Sequence, residues 1–478
     1  MTEPAPPTTV AAIDIGASSG RVVAGVVRDG TIAMEVVHRF ANGLQTIDGH
    51  LRWNITGLYA EVLAGLTKLA TRYPDVVSIG IDTWAVDYGL LDAEGRLLAE
   101  PTAYRDDRTD AVINEVDGMI SRERQYAISG LQFLPFNTIY QLAAEQRSDL
   151  WTRTAHVVLL PDLLAYWLTG ELRTEITNAS TTGLLDARRR SWSAEAFTAL
   201  GIPADLLPPL IEPGETVGMI SAEVAGRTGL PVTSTVVAVG SHDTASAVVA
   251  VPAEGRDIAY VSSGTWSLVG LELDRPVITD ASRDANFTNE GGVDGRVRFL
   301  RNVGGLWLLQ ECVRDWSATG QECDLAVLLE GAAKLPAGGP VIDVDDEAFI
   351  APGEMPARIR SACRDSGQSE PDDQAGVVRC VLDSLATAYA QTIERAEQLT
   401  GRRAETVHIV GGGSQNALLC QLTADRADRP VLAGPTEATA LGNIVVQART
   451  AGAVDGTLED LRVVLRRGLE LRRYAPTG

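Results

Sequence analysis

Thr9–Arg28 reads TVAAIDIGASSGRVVAGVVR. A continuous apolar run, TVAAIDI, ends at Gly16; small residues follow, and β-branched runs resume at Val22. Unbroken apolar runs of this length suit strands buried on both faces. Asp29-Gly30 then separates this stretch from TIAMEVVHRF, a good hairpin signal. The opening is therefore a β-meander. A dinucleotide fold would place a helix directly after its glycines, so that fold does not fit. A similar passage returns far along the chain. DIAYVSSGTWSLVGLEL (Asp257–Leu273) is again strand, Gly/Ser turn, strand. The echo predicts two similar α/β domains. Their boundary is expected near Val251–Arg256, where Pro252 and Gly255 interrupt the pattern, giving domains at 1–252 and 253–478.

The chain has 478 residues, ample for a sizeable core, and ordinary globular composition: 45% hydrophobic and 22% charged. Its formal net charge of −22 argues against a nucleic-acid backbone as main partner. No stretch approaches the roughly 18 apolar residues of a membrane span. The start, MTEPAPPTTV, lacks a basic n-region and does not read as a signal peptide. Cys312, Cys323, Cys363, Cys380 and Cys420 form no CxxC pair, so the default is reduced thiols in a cytoplasmic protein. Lys68 and Lys334 are the only lysines, and neither sits in a Walker or protein-kinase context. A nucleotide would have to be held without a P-loop.

Between the two hairpins the pattern predicts a helix near Ile55–Arg72, an apolar strand in VVSIGIDTWAVDYGLLD, and a mostly helical region from about 108 to 205. VVAVGSHDTASAVVAV reads as strand, turn and helix. Later come a helix around Gly305–Trp316, a loop-rich stretch to about Pro371, and a long helix stopped by Gly401. TVHIV, GGGSQN and ALLCQLTADRA then read as strand, turn and helix, and TEATALGNIVVQART as a helix that Thr436 would cap.

Five motifs carry chemistry. In DIGASSGR, the backbone and hydroxyls of Ala17, Ser18, Ser19 and Gly20 suit a phosphate, Arg21 adds a cation, and Asp14 suits Mg²⁺ directly or through water. A tight hairpin with a structural aspartate accounts for the same residues. VSSGTWS repeats the loop without the acid. GSHDTASA places Asp243 at a strand end before a helix of small residues, where it suits a general base for a hydroxyl or a plain helix cap. GGGSQN permits close approach of a flat ligand, or is a simple turn into a helix. Asp82, Trp84 and Asp87, spaced along one strand, suit a sugar site or a strand running from core to surface.

In this order the motifs resemble the FGGY carbohydrate kinases, of the actin and hexokinase superfamily. DIGASSGR, GIDTWAVDYGLLD, AYRDDRT, GSHDTASAV, YVSSGTWSL, RNVGGLWLLQE, MPARIR and HIVGGGSQNALLCQLTADR carry the resemblance over nearly the whole chain. It implies two ribonuclease-H-like α/β domains with an interlobe cleft and, within the family, the branch acting on L-rhamnulose with ATP and Mg²⁺ to give the 1-phosphate. By the same resemblance Asp243 is the proton acceptor. Ala17 to Arg21, Thr265, Gln310 and Gly412 contact ATP. Ala85, His242, Thr244 and Asn302, with Asp243, contact the sugar. Alanine stands at 85 where the family pattern has glycine, which bears on sugar preference. Cys363 and Cys380 match a family cysteine pair, though a reducing cytoplasm opposes a disulfide. The implied partners are a sugar and ATP, in a monomer or homodimer, without nucleic acid or membrane. A sister kinase for another ketose or a polyol, a non-catalytic nucleotide or sugar sensor, and a plain ATPase are the alternatives.

Overall fold

The computed structural model describes residues 7–477; the first residues of the MTEPAPPTTV stretch lie outside them. The chain forms two compact units. One takes the residues up to Glu254, together with Leu273–Phe299 and Ala438–Gly468; the other takes Gly255–Glu272, Leu300–Glu437 and Leu469–Gly478. The domains expected from the sequence are contiguous, and these units are not.

In the first unit, β1 (Thr8–Ile15), β2 (Ser19–Arg28) and β3 (Thr31–Ala41) form the expected meander. Asp29 and Gly30 turn it with φ of 51° and 69°, the left-handed pair that a two-residue hairpin needs. Helix α1 (Ile55–Arg72) leads to β4 (Val76–Thr83), which runs parallel to β1. With β5 (Thr216–Met219) and β6 (Thr235–Val237) the sheet order is β5-β6-β4-β1-β2-β3. Ala11, Ile13 and Ile15 of β1 pack with Val62, Leu66 and Leu69 of α1 in one continuous core. Short helix α2 (Asp243–Val249) follows β6.

The second unit repeats the plan. β7 (Ile258–Ser263) and β8 (Trp266–Leu273) form an antiparallel hairpin. β9 (Val297–Gly304), β10 (Thr406–Val410), β11 (Val431–Ala433) and β12 (Arg472–Tyr474) extend the sheet in the order β9-β8-β7-β10-β11-β12, with a seventh strand, Thr288–Gly291, at the edge beside β9. β7 runs parallel to β10 as β1 runs parallel to β4. Its helices include α3 (Trp307–Ala318), α4 (Gln374–Thr400) and α5 (Ala417–Ala427). Gly401 ends α4 in the left-handed conformation, as expected.

One expectation needs correction. The stretch expected to be loop-rich holds helices at Leu325–Lys334 and Met355–Asp365. Pro356 sits in the first turn of the second of these helices, where its missing N–H costs nothing. Asn416, the last residue of GGGSQN, caps α5 by accepting a hydrogen bond from Leu419 N at 3.0 Å. Finally α6 (Ala438–Thr450) rejoins the first unit and packs on β1 and β4.

Candidate active site

In the first unit the parallel register sets Asp14, at the end of β1, beside Asp82 of β4. Arg21, its cross-strand partner on β2, grips Asp14 Oδ2 through Nε at 3.0 Å and Nη2 at 2.6 Å. The intervening turn is closed by Gly16 N donating to Ser19 O at 2.9 Å, and Asn42 Nδ2 donates to Gly16 O at 2.9 Å. Ser18 and Ser19 are exposed at its tip.

One residue beyond Asp82 on β4, Thr83 N donates to Ser241 O at 2.9 Å, and Thr83 forms a parallel bridge with His242. This lands Asp243, the first residue of α2, close enough to Asp82 for their charges to interact. Burial, then the Asp14 charge, pushes the Asp82 carboxyl well above its ordinary range. Asn443 of α6 donates to Asp82 Oδ2 at 2.6 Å, while Oδ1 is buried without a hydrogen-bond partner. Asp243 Oδ1 accepts from Thr244 N at 2.6 Å and Thr244 Oγ1 at 3.1 Å, and the side chain keeps 31% exposure.

Three residues that hold this turn went unnoticed in the sequence. Glu175 Oε2 accepts from Ser241 N at 3.1 Å, Ser241 Oγ at 2.7 Å and Thr177 Oγ1 at 2.5 Å. Glu290 and Arg298 stand behind His242, with Glu290 Oε2 at 3.3 Å and Arg298 Nη2 at 3.1 Å from its Nδ1. Burial alone would raise the Glu290 carboxyl, but the Arg298 charge beside it holds it below its ordinary value.

Ala85 lies just past β4, half-buried, and Val86 after it adopts φ 69°, unfavourable for a β-branched residue. Asp87 is fully engaged within the protein. Trp53 Nε1 donates to it at 2.6 Å, Trp84 Nε1 at 2.9 Å, Gln141 Nε2 at 3.1 Å and Tyr104 N at 3.2 Å. Asp82, Trp84 and Asp87 are all buried.

In the second unit, Thr265 sits in the β7–β8 turn and Gly412 in the turn after β10. Both turns lie at the same end of two adjacent parallel strands, where Ser262 pairs with Val410. The turns also touch: a Cβ on Gly413 would lie 2.1 Å from Ser263 Oγ, so only glycine fits. Gly412 itself is exposed, with nothing within 4 Å of where a Cβ would point. Leu306 N donates to Gly264 O at 3.0 Å, and Trp307 N to Thr265 O at 3.2 Å. These bonds tie the turn to the start of α3, which carries Gln310, exposed. Asn302 lies on β9, half-buried. The structure thus brings Asp14, Arg21, Asp82, His242 and Asp243 together in the first unit, and the turns that carry Thr265 and Gly412 together in the second. A separate groove of about 900 Å³ between Asp315 and Ala375 contains none of them.

Residues 9–250 match the N-terminal domain, and residues 259–451 the C-terminal domain, of the FGGY family of carbohydrate kinases. This chain belongs to that family. The kinase is 44% identical over 473 residues to a rhamnulokinase of Pectobacterium carotovorum, covering 98% of this chain and 93% of the relative. It is 42% identical over 467 residues to a rhamnulokinase of Bacteroides thetaiotaomicron, covering 97% and 95%. Among solved structures, a gluconate kinase from Lactobacillus acidophilus aligns with a TM-score of 0.80 at 16% identity, over 99% of this chain and 94% of that one. A xylulose kinase from Rhodospirillum rubrum aligns with a TM-score of 0.79 at 20% identity, over 98% and 94%. The FGGY kinase therefore has the expected α/β, ribonuclease-H-like fold. No helix among its described residues is long and apolar enough to cross a membrane.

Proposed function

We propose that this kinase transfers the γ-phosphoryl group of ATP to the 1-hydroxyl of L-rhamnulose, giving ADP and L-rhamnulose 1-phosphate. The observation that carries the reading is Asp243: a carboxylate pinned through Oδ1, partly exposed, on a strand-to-helix turn near Asp82, the strand neighbour of Asp14. The near full-length likeness to rhamnulokinases supports the sugar.

Asp243 accepts the proton of the sugar hydroxyl as its oxygen attacks the γ-phosphorus and ADP departs. His242, Thr244, Asn302 and the backbone at Ala85 position the sugar. The N–H groups from Ala17 to Gly20, with Arg21, meet the phosphates; Thr265, Gln310 and Gly412 hold the rest of the nucleotide. The residues fit Mg²⁺. Asp14 is a hard oxygen donor, and beside it lies an Asp82 oxygen that no protein donor satisfies. Asp14 would hold the ion directly or through water. When bound it would offset charge on the phosphoryl oxygens.

The test is ADP release with Mg-ATP across a panel of ketoses, aldoses and polyols. L-Rhamnulose should give the highest kcat/KM; another winner replaces the sugar assignment. Asp243→Asn should cut kcat by about 10²–10⁴-fold, and unchanged turnover rejects Asp243 as the base.

A further inference from the structure

The pair behind His242 has no part in the reaction as described, yet it is costly to build. Arg298 is fully buried, and Glu290 and His242 are nearly so. An arginine in such a place must donate in every direction, because a guanidinium carries five N–H groups, no acceptor, and a charge it does not lose. Arg298 Nε donates to Gly291 O at 2.9 Å. Nη1 faces Glu290 Oε2 at 3.1 Å, and Nη2 faces His242 Nδ1 at 3.1 Å.

That last contact decides where the imidazole proton sits. A proton on Nδ1 would aim one N–H at another, beside a positive charge. Glu290 Oε2, 3.3 Å from Nδ1, would welcome that proton, but Arg298 already neutralises this carboxylate. Nδ1 is therefore the acceptor, and a neutral ring must carry its proton on Nε2. Nε2 lies 3.4 Å from Asp243 Oδ1.

We infer that Arg298, itself held by Glu290, is a positioning residue that locks His242 as the Nε2–H tautomer. The lock turns that N–H toward Asp243. Oδ1 then faces three donors, Thr244 N, Thr244 Oγ1 and His242 Nε2, and Oδ2 is the oxygen presented to the substrate hydroxyl. The consequence for Asp243 rests on the proposed reaction. The tautomer does not, and it is measured without turnover.

The experiment is long-range ¹⁵N–¹H correlation on histidine-labelled protein at about pH 8, above the ordinary histidine pKa. Five histidines are present, and His242→Gln assigns the resonance. The expected wild-type spectrum shows a bare Nδ1 and a protonated Nε2 at His242. A protonated Nδ1, alone or with Nε2, overturns the inference. In Arg298→Met the ring should switch to Nδ1–H, donating to Glu290, with kcat falling about 10- to 100-fold and the KM for ATP unmoved. Retention of Nε2–H in that variant also overturns the lock. If Arg298→Met does not fold, the wild-type spectrum decides alone.

Discussion

Asp87 takes four hydrogen bonds on two oxygens and is still pushed up to about 6, chiefly by burial against donations from Trp84, Trp53 and Gln141. Its folded-state pKa exceeds the unfolded value, so the native protein favours the protonated acid. The associated stability is full below about pH 4 and is lost as pH rises through about 6. Asp87→Asn removes that titration. Between those limits the stability of wild type relative to the variant should fall by roughly 3 kcal/mol, read from urea unfolding at each pH. A constant difference would show that Asp87 stays ionised. At this scale the sequence revealed residues that announce themselves locally, such as Asp14 at a strand end or His242-Asp243 before a helix. It hid Glu175 and Arg298, because they meet Ser241 and His242 across 66 and 56 residues with no local pattern to mark them.

Among elements, helix α1 shows how well amphipathic spacing works: the expected and observed limits are both Ile55–Arg72. Helix α6 was also legible as a helix, but its destination was not. Its inward face carries Asn443 and Gln447, which form a buried polar chain. Asn443 reaches Asp82, Gln447 Nε2 donates to Asn443 Oδ1 at 2.6 Å and to Ala11 O at 3.0 Å, and Ser78 Oγ donates to Gln447 Oε1 at 2.7 Å. Between them and α2 there is no spare room, since a Cβ on Gly442 would lie 1.8 Å from Ser246 O. Gly442→Ala should therefore displace α2, lowering stability by about 1–3 kcal/mol and kcat with it. Gly226→Ala, in the helix Ala222–Thr228 with nothing within 4 Å, should instead stabilise by up to about 1 kcal/mol at unchanged kcat. Calorimetry and steady-state kinetics on the two variants distinguish a crowded crossing from a general intolerance of larger residues.

For the whole molecule, a ligand that binds only the folded state raises the melting temperature with its concentration. ATP with Mg²⁺ should do so, by up to about 3 kcal/mol at a hundredfold excess over Kd, and chelating the cation should remove most of the gain. An equal shift with and without chelator would take Asp14 out of cation binding. The repeated strand–turn–strand plan was readable from the two Gly/Ser turns, because each follows an apolar run long enough to be buried. The return of residues 438–468 to the first unit was not, since nothing local distinguishes a helix that stays from one that travels back. That return sets an order of events during synthesis. The strand at Thr8–Ile15 leaves the ribosome long before the helix that covers it is made. Until then Val10 and Ala12 lack the cover of Ala440 and Ile444, leaving one face of the nascent sheet bare. Chains cut short anywhere before Ala438 should be captured by chaperones or proteases rather than persist as half-enzymes.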